Sequence, residues 1–374
     1  MPIDYNAPSC DPDIDDLCVG SKVVVMGAKG HGKSTFCQQL MNRFADKPII
    51  YFDLDPGRPG FTPPGVIAAT RITGPIFDAP FLRLSKNFEN LATRLVSFTS
   101  AKFDIDTYIK AANDSFNSVD TADSITIINS PGWIRPAGLS ILSDAMSPIS
   151  NDITHVVYMK YKFEWSSPFI NATSYEVPDV PAYAAHTMNN KTARDLHLSC
   201  HLRDIGNNGS FNSPLCYTQP KLFSYGKPSD HLLVAGAYFA DPGLTIADPM
   251  ISLNGAVVSL VFAPEVATAN TKNNIPIIHD LNLITCEFIC HAIVHSFILD
   301  KKVLRIVMPS HITAIPEGKN LVSVRGDLQL NEWDRFPGFI EALRGYTIPY
   351  TSPIIHVPGE LPWRPRRNIG RRHN

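Results

Sequence analysis

KVVVMGAKGHGKSTFCQQLMNRFADKPIIYFDLD, from Lys22 to Asp55, contains three units in succession. Lys22–Met26 is a short run rich in β-branched residues, the pattern of a buried strand. Gly27-Ala28-Lys29-Gly30-His31-Gly32-Lys33-Ser34 then satisfies G-x-x-x-x-G-K-[ST], the P-loop. Beyond it, Phe36, Leu40, Met41 and Phe44 recur at helical spacing. A strand before and a helix after are what the chemistry of this loop demands. Glycines let the main chain wrap an anion so that N–H groups point at phosphate oxygens, and the helix N-terminus adds positive potential. On this reading Gly27, Ala28, Lys29, Gly30, His31, Gly32, Lys33, Ser34 and Thr35 hold a nucleoside triphosphate. Lys33 reaches the β- and γ-phosphates, and the Ser34 hydroxyl ligates Mg²⁺. A plain glycine-rich turn would need neither flank.

Working outward, Pro48–Asp55 reads as a second buried strand that ends in two carboxylates and is broken by Pro56-Gly57. Asp53 and Asp55 are two apart, so on a strand they share a face. Beside a P-loop they can hold Mg²⁺ through water or take a proton from an incoming hydroxyl. Phe61-Thr62-Pro63-Pro64-Gly65 is a rigid loop, and Phe88–Ser118 is helical in character. Ser124–Asn129 is a third buried strand, closed by Ser130-Pro131-Gly132-Trp133, where open α/β sheets bind ligands. Trp133 there either stacks on a base or caps the core. Thr154–Lys160 is a fourth strand. Strands alternating with helical stretches predict an α/β fold, a P-loop NTPase with a mostly parallel, doubly wound sheet.

The chain has 374 residues and a formal net charge of −2, which predicts a sizeable core and no global attraction to nucleic acid. Its seven cysteines lack paired C-x-x-C spacing, so neither a disulfide framework nor a zinc ribbon is indicated. Cys286, Cys290, His291 and His295 lie close together but in a mostly apolar run, and read as packed core residues rather than metal ligands. There is no basic-plus-apolar leader and no apolar run long enough to span a bilayer, so a soluble intracellular protein with no membrane partner is expected.

Residues 1–20 read as a loose lead-in before a P-loop domain over residues 21–250. Within it the polar stretch from Tyr161 to Pro228 contains a helical island, Lys191–Arg203, in the position of a lid. With the lid placed around residues 190–205, Arg194 and Arg203 are candidates to touch phosphates, against the alternative of a solvated surface helix. Leu232–Tyr238, Ala256–Phe262, Asn282–Ile289, Lys302–Pro309 and Leu321–Leu330 are short β-rich runs. They predict a smaller β-rich C-terminal domain over residues 251–374. Its tail, Trp363–Arg372, is strongly basic and suits a polyanion, a nuclear localisation signal or a solvated end.

No N-K-x-D base-specificity motif follows the P-loop, which leaves a phosphotransferase for a hydroxyl acceptor or an ATPase driving a conformational change. The residues then carry a resemblance. Gly27–Phe36, the run Tyr51-Phe52-Asp53-Leu54-Asp55-Pro56-Gly57, Phe61–Gly65 and Ile128–Ile134 resemble the polynucleotide 5′-hydroxyl kinases, in the branch that processes ribosomal RNA spacers. The lid helix around Thr192–Leu196 and the Leu321–Leu330 run are similar too. The resemblance implies transfer of the ATP γ-phosphate to the 5′-hydroxyl of an RNA, in the nucleus and nucleolus, beside an endonuclease partner that creates that end. It implies Lys33, Asp55 and Arg194 as catalytic residues, with Asp55 as base or orienter. Ser34 and Asp53 would support the metal, and Asn129, Ser130 and Trp133 would lie near the RNA end. Arg58 and Gly60 stand where the family shows Gln and Glu, and His31 where a small residue is commoner. Family members generally carry a domain before the P-loop, so the resemblance implies either a pared-down member or a sequence that lacks its beginning, with RNA affinity or nuclease docking impaired accordingly. The competing class is a nucleotide-binding scaffold of an RNA-processing complex with little or no transfer.

Overall fold

The computed structural model describes residues 14, 16–84, 88–159, 169, 171–177, 190–203, 215, 218–227, 229–240, 249–269, 274–309 and 313–330. The basic tail, most of the lead-in, and the lid residues 204–205 lie outside them.

The first sheet has seven strands: β1 (Lys22–Met26), β2 (Ile49–Asp53), β3 (Val66–Ile72), β4 (Glu89–Leu95), β5 (Ile125–Asn129), β6 (His155–Met159) and β7 (Thr173–Val177). Their order is β4-β3-β2-β5-β1-β6-β7. From β2 to β7 every neighbouring pair is parallel, and at one edge β3 runs antiparallel to both β2 and β4. Helix α1 (Lys33–Arg43) covers one face with Phe36, Cys37, Leu40 and Met41. α3 (Ile105–Ser118) and α4 (Pro136–Ala145) cover the other with Tyr108, Ala112, Phe116 and Leu142. β1, β2 and β5 are buried almost throughout, as strands covered on both faces must be.

The sequence expectation of a helix from Phe88 is corrected. Glu89–Leu95 is a strand, and α3 begins only at Ile105, capped by Asp104 accepting from the Thr107 amide. Leu91, Thr93 and Leu95 alternate as well as they satisfy helical spacing, and the open edge of β3 supplies the hydrogen bonds that decide between the two. The lead-in is not wholly loose either. Ile14 and Leu17 are fully buried against α1 and β1, and Asp16 accepts a hydrogen bond from Tyr175.

The second sheet comprises β8 (Lys221–Tyr225), β9 (Leu232–Phe239), β10 (Val257–Ala263), β11 (Thr268–Ala269), β12 (Ile277–Ile278), β13 (Glu287–Ile298), β14 (Val303–Val307) and β15 (Asn320–Arg325). It is mainly antiparallel, in the order β11-β12-β9-β15-β10-β13-β14-β8. An additional pairing of β8 with β9 closes six of these strands into a ring around Phe223, Tyr225, Leu260, Cys290, Leu304 and Ile306. Closure removes the sheet edges that would otherwise need cover. β8 and β9 are part of this ring, although the sequence reading assigned residues 221–239 to the P-loop domain; their partners in β14 and β15 are paired with them from 79 or more residues away along the chain.

Candidate active site

The P-loop follows β1 and is held on two sides by features no side chain could replace. A Cβ on Gly132 would lie 2.8 Å from the Lys29 amide nitrogen, and one on Gly27 would lie 2.7 Å from Met159 Cβ. Gly32 caps α1 with φ 84°, a left-handed conformation that glycine takes without strain. Lys33 is buried at 6% exposure, and its Nζ donates to the carbonyls of Gly27 (3.0 Å) and Ala28 (3.1 Å). Burial lowers its pKa, opposed chiefly by the Asp55 carboxylate. Ser34 and Thr35 are exposed on the first turn of α1.

Asp53 ends β2 and is buried at 3% exposure. Four donors converge on it. The Gly60 amide (2.7 Å) and the Tyr51 hydroxyl (3.1 Å) reach Oδ2, while the Asn129 amide (3.0 Å) and the Asp55 backbone N–H (3.2 Å) reach Oδ1. Even so, burial and the nearby Asp55 charge push its pKa up to about 6. Asn129 also extends Nδ2 to Ser34 Oγ at 3.4 Å, and its own Oδ1 is buried without a hydrogen-bond partner. An orphaned buried acceptor beside a hydroxyl and a carboxylate is a fit for a bound cation or its water.

Asp55 lies beyond the strand, so the two carboxylates are not successive rungs on one face; they occupy different environments. Asp55 is partly exposed, and its Oδ1 accepts the Gly57 amide at 3.0 Å. The Tyr108 hydroxyl, buried, holds the Leu54 carbonyl between them at 2.9 Å.

Lys33, Ser34, Asp53, Asp55 and Asn129 therefore come together at the carboxyl ends of β1, β2 and β5. Asn129, assigned by resemblance to the RNA end, here bridges Asp53 and Ser34. Ser130 is buried with its hydroxyl turned to the Pro131 carbonyl at 3.3 Å, and its amide ties β5 to β1 at Val25. Trp133 is partly buried and packs against the first-sheet core and Gly138.

Helix α5 (Asn190–Leu202), placed as a lid in the sequence reading, is docked on the second sheet. Leu198 and Leu202 are buried with Val257, Ile293, Val307 and Leu328. Arg194 is partly exposed, and its charge acts on Asp327; Arg203 is buried. α5 also packs on the short helix α2 (Pro80–Arg83). His291 on β13 joins all three parts. Its Nε2–H donates to the Pro64 carbonyl at 2.7 Å, Nδ1 accepts from Ser259 Oγ at 3.0 Å, and its backbone N–H donates to His201 Nε2 at 3.0 Å. His291 and Cys290 are thus packed structural residues, and burial lowers the His291 pKa to about 4.

Thr99 and Tyr108 escaped the sequence reading, while Tyr51 and Gly60 were named in it without a role around Asp53. Tyr51 carried a usable signal, two residues before Asp53 on one strand face; Thr99 and Tyr108 reach the site only through tertiary contact.

A P-loop entered from a central parallel strand, with a carboxylate ending the next, defines a P-loop nucleotide-binding protein. Residues 27–197 match the family profile described as the P-loop of the mRNA cleavage and polyadenylation factor CLP1. The Clp1 chain of the wild-type Clp1p–Pcf11p complex has the same fold, with a TM-score of 0.57 at 14% identity, over 81% of this chain and 74% of that one. Over most of its length the chain is similar to proteins named polynucleotide 5′-hydroxyl-kinase. It is 24% identical to polynucleotide 5′-hydroxyl-kinase GRC3 of Kluyveromyces lactis, over 94% of this chain and 60% of that protein. The counterpart of Saccharomyces cerevisiae is also 24% identical, over 94% and 61%. Polynucleotide 5′-hydroxyl-kinase NOL9 of Danio rerio is 33% identical over 37% of this chain and 19% of its own length. The chain thus spans about three fifths of the length of the two yeast relatives. Among the described residues, no helix is long and apolar enough to cross a membrane.

Proposed function

We propose that this chain is an ATP-dependent polynucleotide 5′-hydroxyl kinase that acts on RNA during ribosomal RNA processing, in the nucleus and nucleolus, with an endonuclease as partner. The observation that carries the reading is the pairing of a partly exposed Asp55 with the buried set of Lys33, Asp53 and Asn129 around Ser34. The names of the yeast and fish relatives support the acceptor class. RNA rather than DNA, the nucleolar setting and the nuclease rest on the sequence resemblance.

In the reaction, the acceptor 5′-oxygen attacks the γ-phosphorus as the bond to the β-bridging oxygen breaks, releasing ADP. Asp55 orients the hydroxyl and takes its proton. Lys33 exchanges the Gly27 and Ala28 carbonyls for phosphate oxygens and offsets charge that spreads over the transferring group. Ser34, with Asp53 and Asn129 behind it, would hold Mg²⁺, which supplies further charge neutralisation between the phosphates. Asn129, Tyr51 and the Gly60 amide keep Asp53 in one orientation. Most of the catalysis then comes from positioning and electrostatics, as phosphoryl transfer allows. From the lid, Arg194 is the candidate to complete the charge around the γ-phosphate. Ser130 and Trp133 are proposed to shape the acceptor end from the β5 side.

The test is transfer of labelled γ-phosphate from ATP and Mg²⁺ to a short 5′-hydroxyl RNA, with the 5′-phosphorylated RNA as control. Label on the 5′-hydroxyl RNA alone, lost in Asp55→Ala, supports the kinase. ATP binding with no label on either RNA, with and without the endonuclease, would instead favour the scaffold.

A further inference from the structure

The VRGDLQL run at the end of β15 has no role in the mechanism above, yet it reaches the site. Gly326 crosses the loop after β4 so closely that a Cβ would sit 1.8 Å from the Ser97 carbonyl oxygen. Ser97 itself takes φ 66°, outside the region preferred by residues with side chains. The Asp327 amide donates to that same Ser97 carbonyl at 3.2 Å. The Asp327 carboxylate then grips Thr99 twice, accepting from its amide at 2.9 Å through Oδ1 and from its hydroxyl at 2.8 Å through Oδ2.

Thr99 is the next link. Its carbonyl oxygen lies 2.8 Å from where a Cβ on Gly57 would stand, so loop and turn are in main-chain contact. Gly57 in turn donates its amide to Asp55 Oδ1 at 3.0 Å. The rest of the turn is braced from the same side. The Gly65 amide donates to the Pro56 carbonyl at 2.8 Å, and the Val96 and Ser97 amides donate to the Gly65 carbonyl at 2.9 and 3.1 Å.

The geometry points to Asp327 as a positioning residue for Asp55: from the second sheet it holds Thr99 against Gly57 and so fixes the turn that aims the Asp55 carboxylate. This rests on the proposed kinase reading for its consequence in catalysis, though not for its geometry. Two observations support it. A surface aspartate needs no bidentate partner, whereas Asp327 is partly buried and accepts both donors Thr99 offers. The positive charge of Arg194 on α5 also acts on the Asp327 carboxylate, which keeps that end of the contact near the helix proposed as a lid.

The experiment compares full-length wild type, Asp327→Ala, Asp327→Asn and Thr99→Val. It reads kcat and KM for labelled transfer, ATP affinity, and amide hydrogen exchange across residues 55–60. Asp327→Ala is expected to lower kcat by roughly tenfold to a hundredfold, since misplacement of about 1 Å suffices for that. KM for ATP and ATP affinity should stay near wild type, and the Gly57 and Arg58 amides should exchange faster. Asp327→Asn should recover most of both, because its amide still accepts from the Thr99 N–H and can donate to the Thr99 hydroxyl. Thr99→Val, which keeps only the main-chain bond, should fall between, and these milder variants carry the test if the alanine variant does not fold. Wild-type exchange at residues 55–60 in the variants, or a rise in KM for ATP with kcat unchanged, would overturn the proposal. Should the wild type transfer no label, the kinase reading fails, and the exchange comparison alone still decides whether Asp327 holds the turn.

Discussion

Asp53 and His291 are both buried ionisable residues, one at the rim of the parallel sheet and one inside the seam with the second sheet. Their surroundings differ in kind. His291 has one partner for each ring nitrogen and is left neutral, with its pKa lowered to about 4. Asp53 has four donors and a neighbouring carboxylate, its pKa is raised to about 6, and the adjacent Asn129 Oδ1 has no partner. A saturated, neutral buried group is what a structural joint looks like. A buried charge next to an orphaned acceptor and an exposed hydroxyl is a place where folding has left work for a ligand.

The largest expected effect breaks the comparison at its functional side. Asp55→Ala should cut phosphate transfer by roughly 10²–10⁴-fold, the usual contribution of a general base, with ATP affinity within a few-fold of wild type. Transfer kinetics alongside equilibrium nucleotide binding check this; an active alanine variant would leave Asp55 only its hydrogen bond to the Gly57 amide.

Next come two opposed pH dependences, measured by denaturant unfolding without nucleotide. The folded pKa of Asp53 lies above its unfolded value of 3.8, so the folded state binds the extra proton between them. Its contribution is intact below 3.8 and is lost as pH rises through about 6. Relative to wild type, Asp53→Asn should therefore gain about 3 kcal/mol between pH 4 and 7. For His291 the unfolded state binds the proton, so stability is intact above 6.5 and falls as pH drops toward 4. His291→Gln should gain about 3 kcal/mol relative to wild type over that descent. Parallel slopes for the two variants would erase the distinction.

Smaller effects separate the glycines around the site. Gly132→Ala drives a Cβ into the Lys29 main chain at 2.8 Å, and ATP affinity should drop about tenfold, or 1.4 kcal/mol. Gly60→Ala places its Cβ at 3.5 Å from Asp53 Oδ2 and 3.6 Å from Arg83 Nη1, ordinary contact distances. Its effect on stability should stay within about 0.5 kcal/mol, readable in a melting curve. A large loss there would mean that glycine is required at position 60 for packing.

Much of the P-loop sheet was legible because its signals are local. β1, the phosphate loop and α1 are consecutive, and the central strands β1, β2 and β5 are nearly continuous apolar runs. Lys33, Ser34, Asp53 and Asp55 followed from motif and strand end alone. β4 was misread because Leu91 and Leu95 satisfy both periods, and only the free edge of β3 chooses. Arg194 was placed on a lid by its helix, yet what that helix packs on, the Leu198 and Leu202 face against β13 and β14, has no signature near residue 194.

Sequence alone determined the nucleotide cradle, the class of sheet and the family resemblance, since all three are written in neighbouring residues whose backbone preferences and side-chain chemistry act over a few ångströms. Tertiary structure decided the rest. It made Asn129 a bridge to Asp53 and Ser34, closed β8 onto β9, joined Pro64 to His291 across 227 residues and Thr99 to Asp327 across 228. Contacts at such separations are set by which surfaces bury one another, and no local pattern encodes that.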